Sequence, residues 1–197
     1  MPRTGMNPEE LKERALDLAL QRMRQQGFEK VRLVDIAKDL GVSHAALYPY
    51  FQDRSALLDA VSERWLVSID TSLAKLVESP GDPVEKIRQW VLELHRAKLE
   101  KVRADAEGYK AFNLASDLKK PFIMTHLKNS HDQLLNLVLQ LREAWGSLRR
   151  DPEEMVQIII SSTVAFHYPR LVAERMDENR EEMLDKVVTT ILRGFEN

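Results

Sequence analysis

Residues 33–51 read LVDIAKDLGVSHAALYPYF, and the reading of this stretch decides the fold. Ile36 and Ala37 precede Gly41, and Leu47 lies six residues beyond it. A small residue at Ala37 lets two helices approach at a steep angle. Gly41 can take the positive φ that ends the first of them. Val42 and Leu47 point inward in this register, and Ser43 is placed to cap the second helix. The spacing predicts a helix-turn-helix, with helices over 33–40 and 44–50. The same spacing also fits a plain corner between two helices, so the flanks must decide. Before it runs an amphipathic stripe of Leu11, Ala15, Leu18, Ala19 and Met23. After it come Tyr48, Tyr50 and Phe51, then a helix capped by Asp53 with Arg54 in its first turn. Amphipathic tyrosines and a helix N-terminus carrying Arg suit phosphate contacts. A second helix of this kind lies in a major groove and presents its first residues to base edges.

Outward from that motif the chain is helical throughout. Three helix starts share one grammar: Asn7-Pro8, Asp82-Pro83 and Asp151-Pro152, each with Glu two residues after the Pro or next to it. The cap accepts an orphan N–H, and Pro supplies a fixed φ at the first helical position. Leu57, Leu58, Val61, Trp65, Leu66, Ile69, Leu73 and Leu76 make one helical stripe. The expected map is all-α with nine helices, over about 8–26, 33–40, 44–50, 54–78, 83–103, 105–117, 121–145, 152–174 and 178–195, with boundaries good to a few residues. The expected division is a helix-turn-helix domain over 1–54 and a second helical domain over 55–197. The helix 54–78 crosses that division.

Composition bounds the function. The 197 residues are 44% hydrophobic and 30% charged, as in an ordinary globular chain. Cysteine is absent, which excludes disulfides, a thiol nucleophile and Cys-ligated zinc. No apolar run approaches the ~18–20 residues of a membrane span, and MPRTGMNPEELKE lacks the apolar core of a secretory signal. A cytoplasmic location is expected. The net charge is −2, and residues 1–55 hold nine Lys and Arg against eight Asp and Glu. DNA binding would therefore rest on a few placed donors rather than a basic field. This weak charge leaves room for an alternative: a helical ligand-binding or scaffold protein without sequence-specific DNA binding. His126 and His131 are five apart, on different helix faces, and no paired Glu-x-x-His motif, phosphate loop or nucleophile elbow is present. No catalytic residue, metal or cofactor is expected.

Residues 10–60 resemble the DNA-binding domain of the TetR/AcrR family of bacterial regulators. The resemblance is carried by Gly27-Phe28, Asp35-Ile36-Ala37, Gly41-Val42-Ser43, Leu47-Tyr48, Tyr50-Phe51, Arg54 and Leu57-Leu58. Further along, Asp151-Pro152 and Phe166-His167-Tyr168-Pro169 resemble C-terminal domains of some members. The resemblance implies a homodimeric, ligand-responsive regulator, a repressor that binds a palindromic operator and is released by a small effector. It places His44, Ala45 and Ala46 against bases, Tyr48 and Tyr50 against backbone or a thymine methyl, and Arg54 against phosphate. Ser43 and Arg32 would flank the groove, and Arg3 and Thr4 form either a minor-groove arm or a frayed terminus.

Two positions depart from the family pattern. Arg32 stands where a capping Ser or Thr is usual, which forfeits a cap worth about 1 kcal/mol and supplies a cation instead. Pro49 falls inside the second helix, where a missing N–H and a ring clash cost ~3 kcal/mol or more. That helix is therefore expected to end or bend near Tyr48. Pro49 is expected either to read a thymine methyl or tune the helix angle, or simply to stop the helix.

The resemblance also implies that the last two helices pair across a two-fold axis. The candidate dimer residues are Val156, Ile159, Ile160, Thr163 and Val164, with Leu184, Val187, Val188, Ile191, Leu192 and Phe195. Helices this apolar can equally be plain core. The middle helices hold the candidate effector pocket: Trp90, Leu94, Tyr109, Phe112, Phe122, Met124, His126 and Phe166, with His126 and His167 as polar handles. An apolar or amphipathic effector is expected.

Overall fold

Capping side chains set the helix starts. Asn7 accepts from the Glu10 amide at 2.8 Å, Asp53 from Ala56 at 2.8 Å, Asp82 from Val84 at 3.2 Å, Asp105 from Gly108 at 3.1 Å and Asp151 from Glu153 at 2.9 Å. The computed structural model describes residues 5–195, and every regular element among them is helical. The α-helices are α1 (Pro8–Gln26), α2 (Leu33–Leu40), α3 (Arg54–Glu78), α4 (Pro83–Ala104), α5 (Ala106–Asp117), α6 (Pro121–Trp145), α7 (Pro152–His167), α8 (Pro169–Glu174) and α9 (Glu181–Arg193). Single 3-10 turns occupy Phe28–Lys30 and His44–Leu47.

The all-α class and the count of nine agree with the sequence, but two members differ. The segment expected as an α-helix over 44–50 is one 3-10 turn followed by an irregular stretch. The helix expected over 152–174 is two, because Pro169 cannot continue the hydrogen-bond ladder of α7. Arg3 and Thr4 lie outside the described residues.

Packing divides the chain inside α3 rather than before it. One compact unit holds residues up to Trp65 together with Asp105–Phe122, and the other holds Leu66–Ala104 and the chain from Ile123 on. This grouping adds α5 to the N-terminal helices, which the division expected at residue 54 does not include.

In the first unit, Leu11, Ala15, Leu16, Ala19 and Met23 of α1 meet Ile36, Ala37 and Leu40 of α2, with Leu47, Phe51, Leu57 and Val61 closing the core. Fully burying each Leu, Ile, Val, Met or Phe side chain of this core contributes roughly 1.5–3 kcal/mol. Polar ties surround it. Arg22 holds Asp39 at 2.7 Å, and Arg64 holds Glu13 and Asp17, each at 2.9 Å. Helix α5 packs on α1 through the Glu107 carboxylate, which accepts the Phe28 amide at 3.0 Å, and through buried Asp105, which lies 3.5 Å from Arg24. Trp65, Tyr109 and Phe112 form an edge-on aromatic cluster, with Trp65 and Phe112 centroids 4.9 Å apart.

In the second unit, α4 packs against α7, α8 and α9, and α7 against α9. Ile87, Val91, Val156, Ile159, Leu184, Val188 and Leu192 are buried there. Arg88 pairs with Asp185 and Arg96 with Glu181, each at 2.5 Å. Buried Lys86 donates to the carbonyls of Val77 and Ser79 and to Gln140, each at 2.7 Å, and so caps the end of α3.

Candidate nucleic-acid interface

The turn that presents the candidate reading residues is set by Gly41. Its φ of 68° and ψ of 26° are left-handed, the conformation glycine adopts without strain. The Gly41 amide donates to Lys38 at 3.1 Å and the Val42 amide to Ala37 at 3.0 Å. These two bonds form a Schellman motif, which ends α2 and turns the chain.

Ser43 then sits at the cap position of the His44–Leu47 turn, but its hydroxyl makes no capping bond, contrary to expectation. The turn is tightened by backbone instead: the Ala46 amide donates to Ser43 at 2.9 Å, and both Tyr50 and Phe51 donate to the Leu47 carbonyl. Leu47 is fully buried and anchors the turn from below. The 3-10 turn ends at Leu47, with Tyr48 at its C-cap, ahead of Pro49.

Ala45, Tyr48 and Pro49 are exposed, and His44 and Ala46 are partly so. The His44 and Tyr48 rings lie 4.8 Å apart, so each orients the other on the outer side of the turn. Tyr50 differs. It is half-buried, packs against the core of the first unit and places its ring 6.3 Å from Phe51.

Arg54 also differs from expectation. Its Nε donates to the Val31 carbonyl at 2.9 Å and its Nη2 to the Phe28 carbonyl at 2.6 Å. The guanidinium expected at phosphate is instead a clamp that ties the start of α3 to the loop before α2. Arg54→Met should lower stability by about 2 kcal/mol, since it leaves two carbonyls without their charged donor. Urea denaturation of the variant checks this. Arg32 caps nothing, as expected; its Nε holds Asp35 at 2.9 Å while most of its side chain stays exposed.

The candidate pocket residues are divided between the two units. Tyr109, Phe112 and Phe122 belong to the first, and Trp90, Leu94, His126 and Phe166 to the second; all seven are buried. Met124 is half exposed, which argues against a lining role. The Tyr109 hydroxyl has no partner, and burial raises its pKa.

The second-unit group is tied by a polar network. His126 Nδ1 lies 2.5 Å from Asp70, Asn129 donates to the same carboxylate at 2.8 Å, Gln133 donates to the Asp70 carbonyl at 2.9 Å, and Trp90 donates to Gln133 at 2.8 Å. Burial holds His126, His95 and His167 below the usual histidine pKa. The sequence reading missed Asp70, His95 and Lys98. Lys98 was findable, because it falls on the stripe of Ile87, Val91, Leu94 and Val102 that the fold buries.

The candidate dimer residues need correction. Val156, Ile159, Thr163, Leu184, Val188, Leu192 and Phe195 are all buried within the protomer. The strongest apolar stripes of α7 and α9 serve the protomer's own core. Val164 remains half exposed, and Ile160, Val187 and Ile191 are partly so, beside exposed Tyr168 and Met183.

Comparison with known proteins agrees with this architecture. Residues 15–61 match the family model for bacterial regulatory proteins of the tetR family, and residues 83–188 match a tetracyclin repressor-like C-terminal domain. The chain is 32% identical to the HTH-type transcriptional regulator AcrR of Shigella flexneri, over 47% of this chain and 43% of AcrR. It is 29% identical to the HTH-type regulator RutR of Escherichia coli K12, over 77% of this chain and 71% of RutR. FadR of Thermus thermophilus, a transcriptional repressor solved in complex with lauroyl-CoA, shares the fold with a TM-score of 0.66 and 21% identity, over 93% of this chain and 94% of that one. With both its helix-turn-helix segment and more than half of its length matched in this way, the chain belongs to the TetR family of bacterial transcriptional regulators.

Proposed function

We propose that this regulator is a cytoplasmic homodimeric repressor that binds a palindromic operator and is released by a small effector. The observation that carries the reading is the outward turn after Gly41, which exposes Ala45 and Tyr48 and sets the His44 ring beside that of Tyr48 at a tilt of 53°. His44 donates to a guanine O6 or purine N7, Ala45 and Ala46 meet thymine methyls, and Ser43, Tyr48, Pro49 and Arg32 contact the groove walls. Residues 1–54 read DNA, and the chain from residue 55 carries effector binding and dimer contacts. The dimer face is the partly exposed set Ile160, Val164, Val187 and Ile191 rather than the buried stripes. Two-fold pairing would space the reading turns about one helical repeat, ~34 Å, apart. An effector in the C-terminal part shifts the balance between two dimer arrangements through its differential affinity for them, with α3 as the lever.

Binding of the full chain to its own upstream DNA, by fluorescence anisotropy at two salt concentrations, tests this. Nanomolar affinity that falls steeply with salt is expected. His44→Ala should cost about 1–3 kcal/mol at one base pair of each half-site and leave other positions unchanged. Equal affinity for unrelated duplexes would favour a helical protein that keeps the motif without reading DNA.

A further inference from the structure

The break between α7 and α8 leaves buried polar atoms that the fold does not use. Its local cause is Pro169, before which Tyr168 takes an extended conformation with φ −65° and ψ 121°. The carbonyls freed there are met by side chains. Arg180 donates to Ala165, His95 Nδ1 to Phe166 and Lys98 Nζ to His167, each at 2.9 Å. That accounts for one proton of Lys98 and one ring nitrogen of His95.

The remainder is unaccounted for. His95 Nε2, both ring nitrogens of His167 and the Ser130 hydroxyl are enclosed and have no hydrogen-bond partner. Ser130 lies one turn beyond His126 on α6, on the same face. Lys98 is buried and makes a single hydrogen bond, whereas Lys86, the other buried lysine, makes three. The two residues therefore differ in kind: Lys86 is a completed cap, and Lys98 has donors to spare. The His95 and His167 rings lie 6.4 Å apart, and the Lys98 ammonium sits 2.9 Å from the His167 carbonyl, so the three groups are neighbours. Burial lowers Lys98 to about 8, which leaves it mostly charged at neutral pH. Buried polar groups without partners are rare in native folds, and such a cluster calls for a ligand that completes it.

The chemistry of the vacant atoms selects the ligand. Lys98 and one nitrogen of neutral His167 are donors, which suit an anionic oxygen. His95 donates through Nδ1 to a carbonyl, so its Nε2 is an acceptor and takes a donor, which a ligand hydroxyl supplies. No three ligating side chains among the described residues are grouped to hold a metal ion. We propose that Lys98, His167 and His95 form the binding site of a small hydroxylated carboxylate. Its carboxylate sits on Lys98 and His167, and its hydroxyl donates to His95. This names the ligand class of the effector site and rests on the effector reading above.

Calorimetric titration of the full chain with 3-hydroxybenzoate, benzoate and 3-hydroxybenzamide tests it. The hydroxy acid should bind about tenfold or more tighter than its amide, as expected when a buried site loses its polar match. Benzoate, which lacks the hydroxyl, should fall between them. Lys98→Met should abolish the preference for acid over amide. His167→Phe should weaken acid binding and raise the Tm of the ligand-free protein, because an unpartnered polar ring becomes apolar. If Lys98→Met fails to fold, His167→Phe carries the test. Equal binding of acid and amide, no binding of either acid, or an unaltered preference in the folded variants overturns the proposal. Parallel anisotropy with duplex DNA separates the two readings. DNA binding without acid binding removes the ligand class and leaves the regulator; acid binding without DNA binding does the reverse.

Discussion

Leu47→Ala destabilises the first unit by about 2–5 kcal/mol and removes DNA binding with it. Leu47 is fully buried and is the one side chain of the His44–Leu47 turn that faces the core. Its carbonyl also receives the amides of Tyr50 and Phe51, so the residue fixes the exit of the turn as well as its seat. Truncation leaves a cavity among Ile36, Phe51 and their neighbours that a 3-10 turn of four residues can close only by shifting. His44 and Tyr48 ride on that turn, so their spacing relative to base edges goes with it. Leu47→Met, which keeps the volume, should cost less than about 1.5 kcal/mol and retain binding. Denaturant unfolding measures the stability, and anisotropy with the same duplex measures the binding.

Asp70→Ala is the second large effect, at about 3–5 kcal/mol. The Asp70 carboxylate accepts from Asn129 and from His126 Nδ1, and its charge is the favourable neighbour of Lys98. Removal strands two donors in the interior and leaves Lys98 as a buried charge without compensation. Asp70→Asn keeps one acceptor and should recover part of the loss. The Gln133 bond uses the Asp70 backbone and should survive both changes. Thermal unfolding of the three proteins, checked against the linked double variant Asp70→Ala with Lys98→Met, tests the argument. The double variant should be less destabilised than the sum of the two single changes, since the stranded charge is gone.

Local chemistry made most of the fold legible. Caps at Asn7, Asp53, Asp82 and Asp151 and prolines at first helical positions fixed starts that the structure reproduces at 8, 54, 83 and 152. Gly41 marked the end of α2 for a reason that lies entirely in its own φ. Pro49 foretold an early stop of the reading turn, though the 3-10 geometry came from backbone bonds that no side-chain pattern announces. Pro169 carried the same signal for α7, and the apolar run on either side of it hid the break. Periodicity identified the apolar faces of α7 and α9 but could not say whether each meets its own chain or a partner. That depends on which helix arrives from far along the sequence. The return of α5 to the N-terminal helices is likewise nonlocal; Glu107 and Asp105 hold it there, and neither stands out in a charged chain. The role of Arg54 as a carbonyl clamp needed coordinates for the same reason. Lys98 and His95 were visible as polar residues in a buried register, and only coordinates showed which carbonyls they meet.

On the function proposed above, the turn after Gly41 reads base sequence in duplex DNA as one of a symmetric pair. Selection of duplexes from a random pool by the full chain, sequenced over successive rounds, tests it most directly. Enrichment of an inverted repeat with half-sites about one helical turn apart is expected, with preference relaxed at one symmetric position for His44→Ala. A pool that stays random through selection, or an enriched site unchanged by His44→Ala, would contradict it.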